Sequence, residues 1–226
     1  MTNKIPTSRE FAFIFDLDGV LVDTSKNHFL AWKKLAQKFD FELTEKFNER
    51  LQGVSRLDSL DLILEAAHVE IEKHDKLKLA TEKNIFYLES IAELNENDLL
   101  PGVLDFLKEA KRIEIPIALG SASKNANLIL EKTGISPYFA AVVDGNMVTK
   151  SKPNPEVFLK AAELLNYDPK RCIVFEDSIK GVDAAVSAKM HVVGIGTRNK
   201  LNEADLVFRG FQYFKAYEII NWYTIM

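Results

Sequence analysis

The chain is predicted to be an α/β protein with a doubly wound parallel sheet and an inserted all-helical segment, and three observations predict it. Short, nearly continuous apolar runs recur along the chain, amphipathic helical periods separate them, and one long early stretch has helical periods but no strand. A strand covered on both faces reads as an unbroken apolar run, and parallel neighbours need a helical crossover between them. The first two observations therefore specify a sheet with helices on both sides.

The first strand is residues 11–15 (FAFIF), which ends at Asp16. From about Asp23 to Leu99 no run reads as a strand. Residues 28–39 place Phe29, Trp32, Leu35, Ala36 and Phe39 on one helical face, and residues 57–67 do the same with Leu60, Ile63, Leu64 and Ala67. The lysines of KHDKLKLATEK, residues 73–83, read as a solvated helix face. A polar run at residues 95–98 followed by Leu100, Pro101 and Gly102 suits a linker and a helix start. Strands follow at residues 115–119, 140–143, 172–175 and 192–195, with helices at 127–132, 155–165 and 181–189. The expected division is a core of residues 1–22 and 98–226 and a helical domain of residues 23–97.

With 226 residues, 47% hydrophobic and 27% charged, the chain has the composition of an ordinary globular protein of one domain or two small ones. Its 29 Lys and Arg against 33 Asp and Glu give a formal charge of -4, which argues against a generic nucleic-acid or anionic-membrane surface. Any phosphate must then be held by local cations. Cys172, the only cysteine, has no disulfide partner within the chain and reads as a small buried hydrophobe; with four histidines it leaves no usual structural zinc set. The opening MTNKIPTSRE has no apolar signal region, and FAFIF stops far short of the roughly 18 residues a membrane-spanning helix needs. A cytoplasmic monomer with no membrane or nucleic-acid partner is expected.

Ligands of open α/β sheets bind beyond the carboxyl ends of the strands. There the chain places Asp16 and Asp18 (DLDGV), then Ser121, Ser123 and Lys124 (GSASK), then Lys150 and Lys152, then Glu176, Asp177 and Ser178 (FEDS). A DxD alone is weak, and Glu-Asp after a strand reads equally as a helix cap, with Asp177 or Ser178 capping a helix from Ile179. The conjunction carries more. Carboxylates gathered at two buried strand ends are unfavourable without a cation, and an all-oxygen set suits Mg²⁺. With lysine and hydroxyls holding phosphoryl oxygens opposite, one aspartate is free to attack phosphorus and the other to move a proton.

These segments, FDLDGVLVDT, Ser121 ahead of a helix, Lys152 in SKPNP and FEDS, resemble the four motifs of the haloacid dehalogenase superfamily over almost the whole chain. The resemblance implies a Rossmann-like core with the insertion as a mobile helical cap domain. Within the superfamily HFLAW, FNERLQGVSRLDSL, SASKN, SKPNPEVF and FEDSIKGVDAA are most similar to the β-phosphoglucomutases. That likeness implies a Mg²⁺-dependent mutase interconverting β-D-glucose 1-phosphate and glucose 6-phosphate through an aspartyl-phosphate and glucose 1,6-bisphosphate, which also serves as phosphorylating activator. A sugar-phosphate phosphatase of the same superfamily is the alternative. A non-catalytic phosphate-binding protein is weaker, because every catalytic group is present.

The resemblance also implies roles. Asp16 would be the nucleophile and Asp18 the general acid and base, with Ser121 and Lys152 holding the transferring phosphoryl group. Mg²⁺ would take Asp16, the backbone carbonyl of Asp18, and Asp177 with Glu176 beside it. Arg56 would clamp the second phosphate bidentately, with Ser123, Lys124 and Asn125 at the same pole. Thr24, His28, Trp32, Gln52, Gly53, Val54, Ser55 and Ser59 complete the expected substrate-binding set. His28 reads equally as a half-buried helix-face imidazole or a group coupling closure to Asp18, Thr24 as a hinge or an N-cap, and Trp32 as core or as facing the site. Gln52 stands where the family pattern often has lysine, which removes one cationic contact. His68, His74 and His191 read as structural or solvated.

Overall fold

A computed structural model describes residues 10–52 and 54–225. The first apolar run forms β1 (Ala12–Phe15), all of it buried. The inserted stretch holds α1 (Ser25–Ala36), the one-turn α2 (Glu45–Asn48), α3 (Arg56–Ala66) and α4 (Lys73–Ser90). The core resumes with α5 (Val103–Arg112), β2 (Ile117–Gly120), α6 (Ala126–Lys132), β3 (Ala141–Val143), α7 (Glu156–Leu165), β4 (Cys172–Glu176), α8 (Ile179–Ser187), β5 (His191–Ile195), β6 (Leu206–Phe208) and α9 (Ala216–Ile225). Neither β6 nor α9 was expected. β6 is three half-buried residues at the sheet edge, and α9 is apolar on most sides, so neither shows the run or the stripe that marks an element.

The described strands form one sheet in the order β3-β2-β1-β4-β5-β6, every pair parallel. Alternation of side chains assigns the two faces. Phe13, Phe15, Ile117, Leu119, Ile173 and Phe175 point to a core shared with α5, α6 and α9; Ala12, Ile14, Ala118, Cys172 and Val174 point to a second core shared with α7 and α8. Phe15 stacks on Phe175 with ring centroids 4.5 Å apart. Each such buried phenylalanine contributes roughly 1.5 to 3 kcal/mol. A third apolar cluster, Trp32, Leu35, Leu43, Leu60, Ile63 and Leu64 among others, lies wholly within the insertion.

This topology places the functional crevice. From β1 the chain order runs one way through β2 and β3 and the other way through β4, β5 and β6, so the sheet reverses at the β1–β4 boundary. The insertion leaves and rejoins the core beside that boundary: the Leu100 N–H donates to the Leu21 carbonyl at 2.9 Å, and Val22 pairs antiparallel with Leu99. No helix of the described residues is long and apolar enough to cross a membrane.

Candidate active site

The β1–β4 register sets Phe15 beside Phe175, so Asp16 comes off one strand level with Glu176 at the end of the other. The Asp16 N–H donates to the Phe175 carbonyl at 3.0 Å. One carboxylate oxygen each of Asp16, Glu176 and Asp177 lie within 4.8 Å of one another. Lys152, 3% exposed, reaches in from the loop after β3 and donates to Asp16 Oδ1 and Glu176 Oε1, both at 2.6 Å. The other Glu176 oxygen accepts from the Ser178 N–H and hydroxyl at 2.8 and 2.9 Å. Glu176 is therefore satisfied by protein, while among the described residues no donor meets the Asp177 carboxylate.

Three carboxylates against one ammonium leave excess negative charge, and the acidities register it. Burial, opposed by Lys152 and reinforced by Glu176, Asp18 and Asp177, holds Asp16 well above the usual carboxylate range. Burial and then Glu176 push Asp177 up to about 7, against Lys200 and Lys152. Although burial works against the charged form of Lys152, Asp16 and Glu176 raise its pKa above the usual lysine range. Two glycines make the gathering possible. A Cβ at Gly19, where φ is +82°, would sit 2.4 Å from Asp177 Oδ2, and one at Gly181 would sit 1.8 Å from Glu176 Oε1. Anionic oxygens seated against bare backbone around a shared point are a donor set that fits a small hard divalent cation such as Mg²⁺. Ser178 serves as the cap of α8, accepting from the Gly181 N–H at 3.1 Å, which leaves Asp177 to the cavity.

Asp18 sits two residues on, under α1. Thr24 occupies the N-cap position of α1, yet its hydroxyl makes no cap bond and donates to Asp18 Oδ1. His28 Nε2 lies 3.7 Å from the same oxygen, and His28 Nδ1 lies 2.8 Å from Nζ of Lys83 on α4. The His28 ring also stacks on Tyr87 with centroids 4.0 Å apart, and the Lys83 ammonium lies 4.7 Å from the Trp32 ring centre. Burial raises the Asp18 pKa, but the His28 and Thr24 contacts and the Lys83 charge outweigh it and hold it low. Burial, then the charge on Lys83, lowers His28; burial, then the charge on Arg56, lowers Lys83 to about 7.

Lys83 corrects one expectation. The string KHDKLKLATEK is not uniformly solvated: Lys83 is 2% exposed, because Ala80, Lys83 and Tyr87 share the inward stripe of α4. Trp32, 3% exposed, packs in the insertion's core and also borders the cavity.

A single cavity extends from Asp16, Asp18 and Asp177 to Arg56, Ser123 and Lys124. His28, Trp32, Gln52, Val54, Ser59 and Lys83 line its walls. Ser25, Asn48, Leu51 and Ala122, which carried no chemical signal, line it as well. Ser121 is buried at the end of β2, its hydroxyl accepting from the Ser123 N–H at 3.0 Å, and the Ser123 hydroxyl accepts from the Asn125 N–H at 3.2 Å. Asn84 of α4, also unanticipated, accepts at one oxygen from Arg56 at 2.8 Å and from the Asn125 side chain at 2.9 Å, tying the insertion to the core. Ser55 caps α3, bonding to Asp58, and Lys150 is exposed. Gly53 lies outside the described residues.

The haloacid dehalogenase-like hydrolase family model matches residues 12–189. Over 200 residues the chain is 42% identical to β-phosphoglucomutase of Bacillus subtilis, with 88% of each chain covered. It is 32% identical over 213 residues to the phosphorylated carbohydrates phosphatase of Thermotoga maritima, covering 93% of this chain and 96% of that one. The crystal structure of β-phosphoglucomutase from Clostridium difficile superposes with a TM-score of 0.92 at 42% identity, covering 95% of this chain and 99% of its own. Likeness of sequence and of fold thus runs through the core and the helical insertion alike, and this chain belongs to the haloacid dehalogenase-like hydrolase family as a β-phosphoglucomutase-like enzyme.

Proposed function

We propose that the protein is a sugar-phosphate mutase that interconverts β-D-glucose 1-phosphate and glucose 6-phosphate through an aspartyl-phosphate on Asp16 and a glucose 1,6-bisphosphate intermediate, the bisphosphate also charging the enzyme. The observation that carries the reading is one cavity with the Asp16, Asp18 and Asp177 carboxylates at one end and Arg56, Ser123 and Lys124 at the other. A substrate phosphorylated at both ends fits such a pair of poles; a one-phosphate substrate needs only the first. The β-phosphoglucomutases of Bacillus subtilis and Clostridium difficile support the same choice. The phosphatase from Thermotoga maritima favours the second reading, in which water takes the phosphoryl group from Asp16.

The residues divide the work as follows. Asp16 attacks phosphorus with the oxygen that Lys152 leaves free, while Lys152 and Ser121 hold the phosphoryl oxygens. Phosphorylated Asp16 then gives its phosphoryl group to the sugar 6-hydroxyl as Asp18 accepts the hydroxyl proton. After the bisphosphate turns end for end, Asp16 takes the 1-phosphoryl group and Asp18 returns a proton to the sugar oxygen. Asp16, the Asp18 carbonyl and Asp177, with Glu176 beside them, would hold Mg²⁺, which supplies charge neutralisation for the phosphoryl oxygens. Arg56, Ser123, Lys124 and Asn125 grip the non-reacting phosphate, and Gln52, Val54, Ser55, Ser59 and Trp32 shape the sugar's surroundings. Thr24 and His28 orient Asp18. Residues 23–97 are the moving cap over a core of residues 1–22 and 98–226, with the paired Val22 and Leu99 segments as the pivot.

The test incubates the enzyme with Mg²⁺, a trace of glucose 1,6-bisphosphate and each anomer of glucose 1-phosphate, following glucose 6-phosphate and free phosphate together. A mutase converts the β anomer with little free phosphate. Free phosphate released in step with substrate loss would establish the phosphatase instead.

A further inference from the structure

Beside the catalytic cavity, where the insertion meets the core, lies a second, open cleft of about 880 Å³. The insertion contributes Lys46, Arg50 and Gln52 to its wall, and the core contributes Lys180 and Lys200; Glu49 is its one carboxylate. Four cations thus face one acid in a protein whose formal charge is -4. Their bonds across the seam go to neutral acceptors. Lys180 Nζ donates to the Arg50 carbonyl at 3.0 Å and Lys200 Nζ to Gln52 Oε1 at 3.1 Å. Among the described residues none of the four is in an ion pair. Gln52 lines both the cleft and the catalytic cavity, so the two spaces share a wall.

Bringing cap and core together concentrates like charge at this seam. The half-buried Lys180 feels it: burial, then the Arg50 charge, lowers its pKa, with only Asp58 opposing. Like charges this close oppose closure unless an anion lies between them. We propose that the cleft is a second anion site, which takes the phosphate of a phosphomonoester dianion between Lys46 and Arg50 of the cap and Lys180 and Lys200 of the core. Occupancy there favours the closed arrangement, and the site shares Gln52 with the wall of the catalytic cavity. The preference for an anion rests on these charges alone; the anion's identity as a sugar phosphate rests on the function proposed above.

Backbone amide shifts of the full chain in chelator, titrated with inorganic phosphate and separately with glucose 6-phosphate, read the two sites independently. The proposal expects amides of residues 44–52 and 178–181 to saturate on their own curve, distinct from those of residues 16–18 and 121–125. Lys180→Gln with Lys200→Gln should weaken the cleft curve at least tenfold and leave the cavity curve within about twofold. Lys46→Gln with Arg50→Gln should act the same way, and it decides the matter if the first pair does not fold. Unshifted cleft amides in the unsubstituted protein, an unchanged curve in a folded double variant, or the same shifts from an equal concentration of chloride would each overturn the site. Tighter cleft binding of glucose 6-phosphate than of inorganic phosphate assigns the sugar phosphate, and equal binding overturns that identity. Cavity amides that ignore glucose 6-phosphate even with Mg²⁺ would count against the proposed function and leave the cleft untouched.

Discussion

Lys83 Nζ lies 2.8 Å from Nδ1 of His28, and the opposite nitrogen of that ring faces Asp18 at 3.7 Å. With Lys83 charged, Nδ1 must accept, so the ring proton sits on Nε2 and points at Asp18. A lysine on the cap thus sets the proton on an imidazole that faces the proposed acid and base. Because α1 and α4 both belong to the cap, His28 and Lys83 stay together, and it is the meeting of His28 with Asp18 that depends on the cap's position over the core.

Lys83 titrates near 7 in the folded protein and near 10.5 when unfolded. Between those values the unfolded chain holds one more proton, so stability rises with pH across the interval, by up to roughly 1.4 kcal/mol per unit. Below 7 both states are charged and the full penalty of burying the cation applies. Lys83→Met should therefore be more stable than the unsubstituted protein at pH 7, and the difference should shrink as pH rises toward 10. It should also lose most isomerisation. Urea denaturation at a series of pH values checks this, and parallel curves for the two proteins would contradict it.

Asp18→Asn should slow sugar-phosphate turnover by roughly 10² to 10⁴, the usual contribution of a positioned acid or base. Phosphorylation of the protein by acetyl phosphate, whose leaving group needs no proton, should persist. Labelling lost together with turnover would mean that Asp18 supports the nucleophile rather than the proton.

The core was legible in the sequence because its strands are buried on both faces and its polar groups follow them directly. Asp16, Ser121 and Glu176 stand one or two residues from the ends of apolar runs. The cap was legible only in part. Lys83 sits in a lysine-rich run whose other members are mostly exposed, and only the spacing to Ala80 and Tyr87 marks it as inward. Asn84 carries no motif at all: its bond to Arg56 arises from the packing of α4 on α3 within the cap and its bond to Asn125 from the packing of the cap against the core, neither of which local pattern encodes.

Removing Mg²⁺ should change stability as well as activity. Asp177 titrates at about 7 in the metal-free fold and near 3.8 unfolded, so between those values the folded state holds the extra proton. Stability of the protein in chelator should then fall as pH rises from 4 to 7. Saturating Mg²⁺ should raise the Tm and remove much of that fall, and Asp177→Asn should blunt both the fall and the response to metal. Melting curves at several pH values decide this; identical Tm with and without Mg²⁺ at pH 7.5 would contradict the metal site.

Arg56→Ala separates the two ends of the cavity. Arg56 is expected to touch the sugar phosphate only through the phosphate that is not reacting, so its loss should lower isomerisation at least tenfold for each roughly 1.4 kcal/mol of contact removed. Metal-dependent hydrolysis of acetyl phosphate, which never reaches the cap, should continue. Equal losses in both assays would mean that the Arg56–Asn84 bond serves the fold instead.

The central claim concerns where the phosphoryl group on Asp16 goes. The enzyme is labelled with ³²P from acetyl phosphate in Mg²⁺, freed of excess donor and mixed rapidly with β-D-glucose 1-phosphate, and the label is then separated into protein, sugar and inorganic phosphate. The mutase reading predicts labelled glucose bisphosphate and glucose 6-phosphate, with little inorganic phosphate and no labelling of Asp16→Asn. Label released chiefly as inorganic phosphate, at a rate the sugar does not change, would contradict it.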